Sequence, residues 1–292
     1  MGRRSCTRGL VLLLVVLPCV CHAQSANRGA SAAASFLGFD RNDYPGDAAL
    51  AALRKTFRYT SYWLNPPPGE TANNWAGKRV VLREHGFGFL VLFNGHTDAE
   101  IKAAASQGQN AAALGAAEGR AAAAAALREG FPRNVIIFLD QEEGGRLLPE
   151  QAAYIFAWID AVRGAGARAG VYCSGIDVPE GSGTINTALD IVERSSSRDK
   201  NSERRLFLWI ADDQCPPAPG CTLAAPTMTG ASTPPVSDFA IVWQYAQSPM
   251  RPEFSARCNA RPAVDGNCYA PGSKIFVDLN TASSPDPSEG AR

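Results

Sequence analysis

Asp140 and Glu142 are the residues whose types and spacing first suggest chemistry. They follow the apolar run Val135–Leu139, which is typical of a buried strand. Because successive side chains of a strand point to opposite faces, Asp140 and Glu142 should share one face, and Gln141 and Glu143 the other. Two carboxylates at one strand end can act as acid and base in the cleavage of a glycosidic bond. The alternative is that these acids favour the N-terminus of a following helix through its dipole.

Eight apolar segments of strand length must position such acids, and together they predict a single (β/α)₈ barrel of the TIM type. The early segments alternate with helical stretches, including the alanine-rich residues 99–128, because alanine is the strongest helix former. The last two crossovers are expected to be poor in helix. The predicted strands are Ser35–Asp40, Tyr59–Leu64, Gly88–Phe93, Val135–Glu142, Ala169–Cys173, Arg205–Ala211, Ala240–Tyr245 and Lys274–Leu279.

Polar residues at the C-terminal ends of barrel strands converge on one mouth, even when they are far apart in sequence. Asp40 ends the first strand, and Asp278 lies in the eighth, which neighbours the first in a closed barrel. We therefore expect Asp40 and Asp278 to lie together, across from Glu142. Crowding by other carboxylates favours the protonated form of a carboxyl group, so Glu142, beside Asp140, is the candidate proton donor. Asp40 and Asp278 would stay ionised, position the substrate and stabilise developing positive charge.

Aromatic and amide side chains on the later strands are candidates for substrate binding. Flat aromatic rings at a barrel mouth can stack on sugar rings, although packing in the core is the alternative for each ring. Asp212 and Asp213 also follow a strand but belong to a predicted loop, so they receive less weight. The candidate substrate-binding residues are Tyr172, Trp209, Trp243, Gln244, Tyr245 and Asn280.

The first 23 residues have the pattern of a secretory signal peptide. Three arginines precede the apolar stretch Leu10–Val20, and an A-x-A-like cleavage site ends at Ala23. Both the general secretory route and the twin-arginine route stay open. The apolar stretch is too short to span a bilayer, so we expect a secreted or periplasmic protein with no stable membrane insertion after cleavage. Residues 24–34 are expected to be a loose leader.

The charge and length of the mature chain limit its partners and its organisation. After signal cleavage, 25 basic residues face 28 acidic residues, which argues against nucleic acid as a partner. One barrel over residues 35–283 accounts for most of the length, and a monomer is expected. Residues 284–292 are rich in Ser, Pro, Asp and Glu and are predicted to be a disordered tail.

Five cysteines remain after signal cleavage, and export makes disulfides possible. Cys215 with Cys221 and Cys258 with Cys268 are the short-range pairings, while other pairings stay open. Cys173 lies within a predicted strand and is interpreted as a buried apolar residue rather than a nucleophile. The sequence has no Cys-x-x-Cys, and two histidines outside the signal peptide are too few for a zinc site. We therefore predict neither a metal nor a cofactor.

Four motifs in order resemble the signature of family 25 glycoside hydrolases, the lysozyme-type muramidases. A closer similarity is to the glycoside-hydrolase-like domain of unknown function 1906, which is found in exported bacterial proteins. The muramidase-like motifs are Gly38-Phe39-Asp40, Leu139-Asp140-Gln141-Glu142, Val242-Trp243-Gln244-Tyr245 and Val277-Asp278-Leu279-Asn280. The pattern of the closer family is matched by Gly38-Phe39-Asp40-Arg41, Tyr59–Leu64, Phe93-Asn94-Gly95 and Gly170-Val171-Tyr172.

The resemblance implies a function as well as a fold. It places the acid/base role of the family on Glu142 and the assisting roles on Asp40, Asp140 and Asp278. It also implies a polysaccharide substrate, peptidoglycan or another glycan, whose N-acetyl group serves as the internal nucleophile. Two cysteine-bearing insertions flanking the seventh strand depart from the muramidase pattern. The alternative function is a non-catalytic glycan-binding or envelope-associated barrel that keeps the acids as polar contacts.

Overall fold

The computed structural model describes residues 1–2, 35–198, 206–213, 239–248 and 270–292. The predicted signal peptide and leader lie almost entirely outside these ranges. Most of the last two crossovers also lies outside them, as do the four cysteines expected to form disulfides. Within the described residues, no helix is long and apolar enough to cross a membrane.

The described chain alternates strands and helices over its first two thirds, as the sequence predicts. A 3₁₀ turn at Asp47–Ala49 precedes the first α-helix. The elements are β1 (Phe36–Asp40), α1 (Leu50–Thr56), β2 (Tyr59–Trp63), α2 (Arg79–Glu84), β3 (Gly88–Asn94), α3 (Asp98–Ser106), α4 (Ala111–Arg128), β4 (Ile136–Gln141), α5 (Pro149–Gly164), β5 (Arg168–Ser174), β6 (Val178–Glu180), β7 (Gly183–Ile185), α6 (Thr187–Arg198), β8 (Phe207–Ala211), β9 (Ala240–Ala246) and β10 (Asp278–Ala282).

Eight of these strands close into a barrel in the order β1-β10-β9-β8-β5-β4-β3-β2, while β6 and β7 form a separate hairpin. The predicted barrel is thereby confirmed. Strands β3 and β4 are almost completely buried, in keeping with their near-continuous apolar sequences. Parallel strands covered on both faces have this composition, because neither face meets water.

The last strand differs from its prediction in both position and direction. The sequence places a strand at Lys274–Leu279, whereas β10 covers Asp278–Ala282 and runs antiparallel to both β1 and β9. An antiparallel strand begins at the edge of the sheet where its neighbour ends, so the chain need not cross back over the barrel. Asp278 consequently lies at the barrel mouth because it begins a strand, not because it ends one.

The alanine-rich helix α4 packs against α5 at very short range. A Cβ atom added at Gly115 would lie 2.1 Å from the carbonyl oxygen of Tyr154, and one added at Gly119 would lie 2.5 Å from that of Trp158. Only a residue without a side chain allows the backbones to approach so closely. The small residues of α4 therefore serve helix packing as well as helix propensity.

Residues 284–292 are ordered against the end of the barrel opposite the mouth, and the predicted disordered tail is wrong. The backbone of Ser288 exchanges hydrogen bonds with Phe89 and Ile136, each 2.9–3.0 Å long. The guanidinium group of Arg79 is buried and donates to the carbonyl oxygen of Gly290 at 2.7 Å. Composition predicted disorder because the segment is polar, but its polar groups pair with the exposed ends of the barrel strands instead.

Candidate active site

A cavity of about 410 Å³ opens at the barrel mouth, where the parallel strands end. All four carboxylates predicted from the sequence line it: Asp40, Asp140, Glu142 and Asp278. The structure thus brings together residues that are up to 238 positions apart in the chain. Each reaches the mouth from a strand end or from the turn directly after one.

Strand register explains how two pairs of acids form. Asp40 and Asp278 are direct partners across the antiparallel pair β1 and β10, so their side chains lie side by side. Asp140 and Glu142 both face the cavity from the end of β4, as alternation along the strand predicts. Gln141 points the other way, and its side-chain amide donates to Glu143 at 3.2 Å.

Glu143 fixes the turn that presents Glu142. One of its carboxylate oxygens accepts hydrogen bonds from the backbone N–H of Asp98 at 2.8 Å and from the side-chain amide of Gln151 at 2.5 Å, in addition to the bond from Gln141. These donors belong to α3, α5 and β4, so one carboxylate joins three elements. Gly145 then reverses the chain with a φ of +89°, a conformation that favours glycine.

Asp40 is a buried carboxylate held by two side-chain amides. Asn280 donates to its Oδ1 at 2.5 Å, and Gln244 donates to Oδ1 and Oδ2 at 3.0 and 3.2 Å. Burial, the largest cause, raises the pKa of Asp40, the two amide hydrogen bonds lower it and the nearby charge of Glu142 raises it, with a net pKa of about 6. Asp40 therefore changes its charge close to neutral pH.

Asp140 is buried as well, with 6% of its surface exposed, but its Oδ1 has no hydrogen-bond partner in the described structure. Burial, then the charges of Glu142 and Asp40, raise the pKa of Asp140 well above its ordinary value. Glu142 itself is exposed at the cavity. The charge of Glu142 is one of the causes that raise the pKa values of both Asp140 and Asp40.

Of the predicted substrate-binding residues, Tyr172 and Trp209 line the cavity. Their ring centroids are 4.6 Å apart with an interplanar angle of 54°. The indole N–H of Trp209 donates to Asn280 at 2.8 Å, and the hydroxyl of Tyr172 donates to Gln244 at 2.8 Å. Gln244 and Asn280 thus connect the aromatic wall of the cavity to the carboxylate of Asp40, rather than forming part of the lining.

Trp243 and Tyr245 do not line the cavity within the described part of the chain, so their placement at the mouth is a correction. Both lie on the face of β9 opposite to Gln244, since side chains alternate along a strand. The indole N–H of Trp243 donates to the backbone carbonyl of Asp212 at 3.0 Å. The structure therefore shows the alternative for these two rings, which is packing in the core around β9.

Several lining residues were missed or given little weight in the sequence. Trp63 ends β2 and could have been found by the same strand-end rule as Asp40. Asp213 is buried and lines the cavity just after β8, although loop placement argued against it. Asp177 and Gln247 line it from connections whose course the sequence pattern does not define.

The hairpin of β6 and β7 forms part of the cavity rim through Val178 and Pro179. Arg146 anchors it with a two-pronged ion pair to Glu180, at 2.6 and 2.8 Å, and with a bond of 2.7 Å to the buried Asp190 of α6. Cys173, on β5 beneath this rim, is free and buried, which confirms its interpretation as a core residue; burial raises the pKa of its thiol.

Comparisons with known proteins agree with this fold. The sequence profile of the family described as "Rv2525c-like, glycoside hydrolase-like domain" matches residues 60–209. A crystal structure of an uncharacterized B. stearothermophilus protein is 22% identical, with a TM-score of 0.54 over 85% of this chain and 95% of that chain. No curated protein sequence matches the chain.

Two further solved structures are similar at lower scores. The Mycobacterium tuberculosis Tat-secreted protein Rv2525c, in complex with L-tartrate, is 12% identical with a TM-score of 0.49, over 87% of this chain and 97% of that chain. A family 25 glycosyl hydrolase from Bacillus anthracis is 12% identical with a TM-score of 0.45, over 85% of this chain and 89% of that chain.

Proposed function

The chain belongs to the Rv2525c-like, glycoside hydrolase-like family, and on this premise we propose that it is an exported hydrolase of a cell-wall or related N-acetylated glycan. The fold is related to that of the muramidases. The observation that carries the proposal is the convergence of Asp40, Asp140, Glu142 and Asp278 on one cavity with an aromatic wall. Neither a family nor a fold specifies chemistry by itself, but paired carboxylates beside aromatic rings suit the cleavage of a glycosidic bond.

Glu142 is the proposed proton donor. It is exposed to the cavity, and its proton passes to the glycosidic oxygen as the bond from that oxygen to the anomeric carbon breaks. Positive charge develops on the sugar ring, and the ionised carboxylates of Asp40 and Asp278 stabilise it. The N-acetyl oxygen of the substrate closes on the anomeric carbon. A water molecule then opens that intermediate and returns a proton to Glu142.

Asp140 supports this step by holding a proton beside Glu142. Its burial and its unpartnered Oδ1 favour the neutral form, and the nearby charge of Glu142 raises the pKa of Asp140 further. Asp140 therefore keeps its proton at a pH where Asp40, with a pKa of about 6, has already lost its own. An acid and a base are then present together at neutral pH.

The proposal includes location and assembly. Residues 1–23 have the sequence of a secretory signal, which supports a protein that works outside the cytoplasm. We further propose that it acts on its polysaccharide as a monomer. Such a protein meets cell-wall glycan directly.

The test is Glu142→Gln in purified mature protein, incubated with a panel of peptidoglycans and capsular glycans. Released reducing ends are read by mass spectrometry, and binding is measured on the same glycans. We expect wild type to cleave at least one glycan and the variant to lose about 10²–10⁴-fold in rate while still binding. The matched control is Glu84→Gln, which alters an exposed acid at the end of α2, remote from the mouth, and should keep full activity.

Unchanged hydrolysis by Glu142→Gln would remove Glu142 from the mechanism. Glycan binding by wild type without turnover of any member of the panel would instead support the non-catalytic barrel.

A further inference from the structure

The charge of the cavity points beyond the proposed function to the class of glycan. Six carboxylates line it: Asp40, Asp140, Glu142, Asp177, Asp213 and Asp278. Among the residues that the structure describes, the lining includes no Lys, Arg or His. The whole chain has equal numbers of acidic and basic residues, so this excess of acid is local to the cavity.

Arg41 is the basic side chain closest in chain position to these acids. Arg41 follows Asp40 and interacts electrostatically with Asp278, but its guanidinium lies 3.9 Å from the carboxylate of Asp43 and is only 22% exposed. It does not belong to the described lining of the cavity. Even with Asp140 protonated and the charge of Arg41 acting on Asp278, acidic groups outnumber basic ones at the cavity. The field inside the cavity is therefore negative, and low-dielectric walls strengthen such a field.

The cavity also presents an acceptor that lacks a donor. Asp140 lines the cavity and is 94% buried, and its Oδ1 atom has no hydrogen-bond partner in the described structure. A buried polar atom of this kind requires a partner, and a ligand that brings hydrogen-bond donors can supply it. An ammonium group carries three donors and a positive charge, so it suits both the unpartnered acceptor and the negative field of the cavity.

The remaining lining fits a sugar ring. Trp63, Tyr172 and Trp209 contribute aromatic surface, and Val178 and Pro179 add apolar surface from the hairpin. Aromatic faces bind the apolar faces of sugars and are also favourable for cations. A ligand with alternating apolar rings and ammonium groups matches this combination better than a free metal ion or a peptide.

We propose that the substrate is a cationic glycan, in which some amino sugars carry free amines in place of N-acetyl groups. This inference rests on the proposed function and specifies its substrate class. The sugar at the cleaved bond keeps its N-acetyl group, which the mechanism uses, while neighbouring free amines pair with the carboxylates of the cavity. Glycans that carry carboxylate or sulfate groups are excluded by repulsion.

Three hexasaccharides of equal length test this inference: a partly de-N-acetylated chitin hexamer, a fully acetylated chitin hexamer and a hyaluronan hexamer. They are cationic, neutral and anionic, respectively. Binding is measured by calorimetry at about pH 6, where amines are protonated, on Glu142→Gln so that no ligand is consumed. We expect the cationic hexamer to bind at least about tenfold more tightly than the neutral one, with the anionic hexamer weakest. High salt should narrow these differences, because salt screens charge.

A second variant locates the effect in the cavity. Asp177→Asn changes an exposed lining residue and keeps an oxygen that can accept the 2.8 Å hydrogen bond from Asn186, so the fold should be preserved. It should reduce the preference for the cationic hexamer by about twofold to fivefold. Glu84→Gln removes the same charge remote from the mouth and should leave the preference unchanged.

Equal affinity for the three hexamers, preference for the neutral or anionic one, or failure to bind any of them would overturn the inference. Hydrolysis of the same hexamers by wild type separates this result from the proposed function. Cleavage of the three hexamers without a charge preference would refute the cationic substrate class but not the proposed hydrolase activity. Preferential binding of the cationic hexamer without cleavage would refute the hydrolase activity but not the selection of a cationic glycan.

Discussion

Asp40→Asn should stabilise the protein at neutral pH but not in acid. The pKa of Asp40 is about 6 in the folded protein, against 3.8 for an unperturbed aspartate. Between these values the folded state holds a proton that the unfolded state has released, so stability falls as pH rises. The difference of about two units corresponds to about 3 kcal/mol of stability, which is fully present below pH 3.8 and lost above about pH 6.

The substitution removes this titration and keeps most of the local contacts. An asparagine at position 40 retains an oxygen in place of Oδ1, which can still accept from Asn280 and Gln244. Its amide replaces Oδ2, which now accepts from Gln244 at 3.2 Å, so the variant loses part of one hydrogen bond at every pH. That loss costs about 1 kcal/mol and does not depend on pH.

Urea denaturation of wild type and variant at a series of pH values checks this reasoning. The free energy of unfolding of the variant minus that of wild type should rise by about 3 kcal/mol between acid and neutral pH, after a constant offset. The Asp40→Asn variant should also be less active than wild type, because a charged group that destabilises the fold is commonly one that function requires. A difference that stays constant with pH, or that falls as pH rises, would refute the assignment of a raised pKa to Asp40.

Two other substitutions test the framework of the site. Gly115→Ala places a Cβ 2.1 Å from the carbonyl oxygen of Tyr154 and should cost about 1–3 kcal/mol in urea denaturation, whereas Gly164→Ala, with no atom within 4 Å, should be neutral or slightly stabilising. Glu143→Ala leaves three donors without their acceptor and should lower stability by about 1–3 kcal/mol. Because the turn that carries Glu142 loses its support, steady-state kinetics should show a lower kcat with little change in KM; an unchanged kcat would mean that the turn holds its position without Glu143.

The sequence predicts the acid cluster well because the direction of the strands, rather than any distance, decides where these acids lie. Parallel strands end at one edge of a barrel, so Asp40, Asp140 and Glu142 converge without any knowledge of packing. Asp278 arrives there by a different route, since β10 is antiparallel. An alternating pattern has the same period in both orientations, and the sequence therefore does not reveal which end of β10 faces the mouth.

The aromatic residues show what alternation along a strand does not predict. Alternation indicates that Trp243 and Tyr245 share one face of β9 and that Gln244 takes the other, but not which face is inward. A rule that places large rings inside chooses wrongly here, because the inward position is occupied by an amide that binds Asp40. Composition also fails to predict that residues 284–292 are ordered, since their polar groups pair with the barrel itself.

The number of amide donors separates the two buried acids of the site. Asp40 and Asp140 occupy equivalent strand-end positions and are almost equally buried, at 8% and 6% exposure. Asp40 receives hydrogen bonds from two amides, which oppose the effect of burial and leave its pKa near 6. Asp140 receives none at Oδ1, and its pKa stays far above the ordinary range. Gln244 and Asn280, which themselves carry no charge, thus determine which carboxyl group is ionised at neutral pH, and the pairing of an ionised with a protonated carboxyl is what glycosidic cleavage requires.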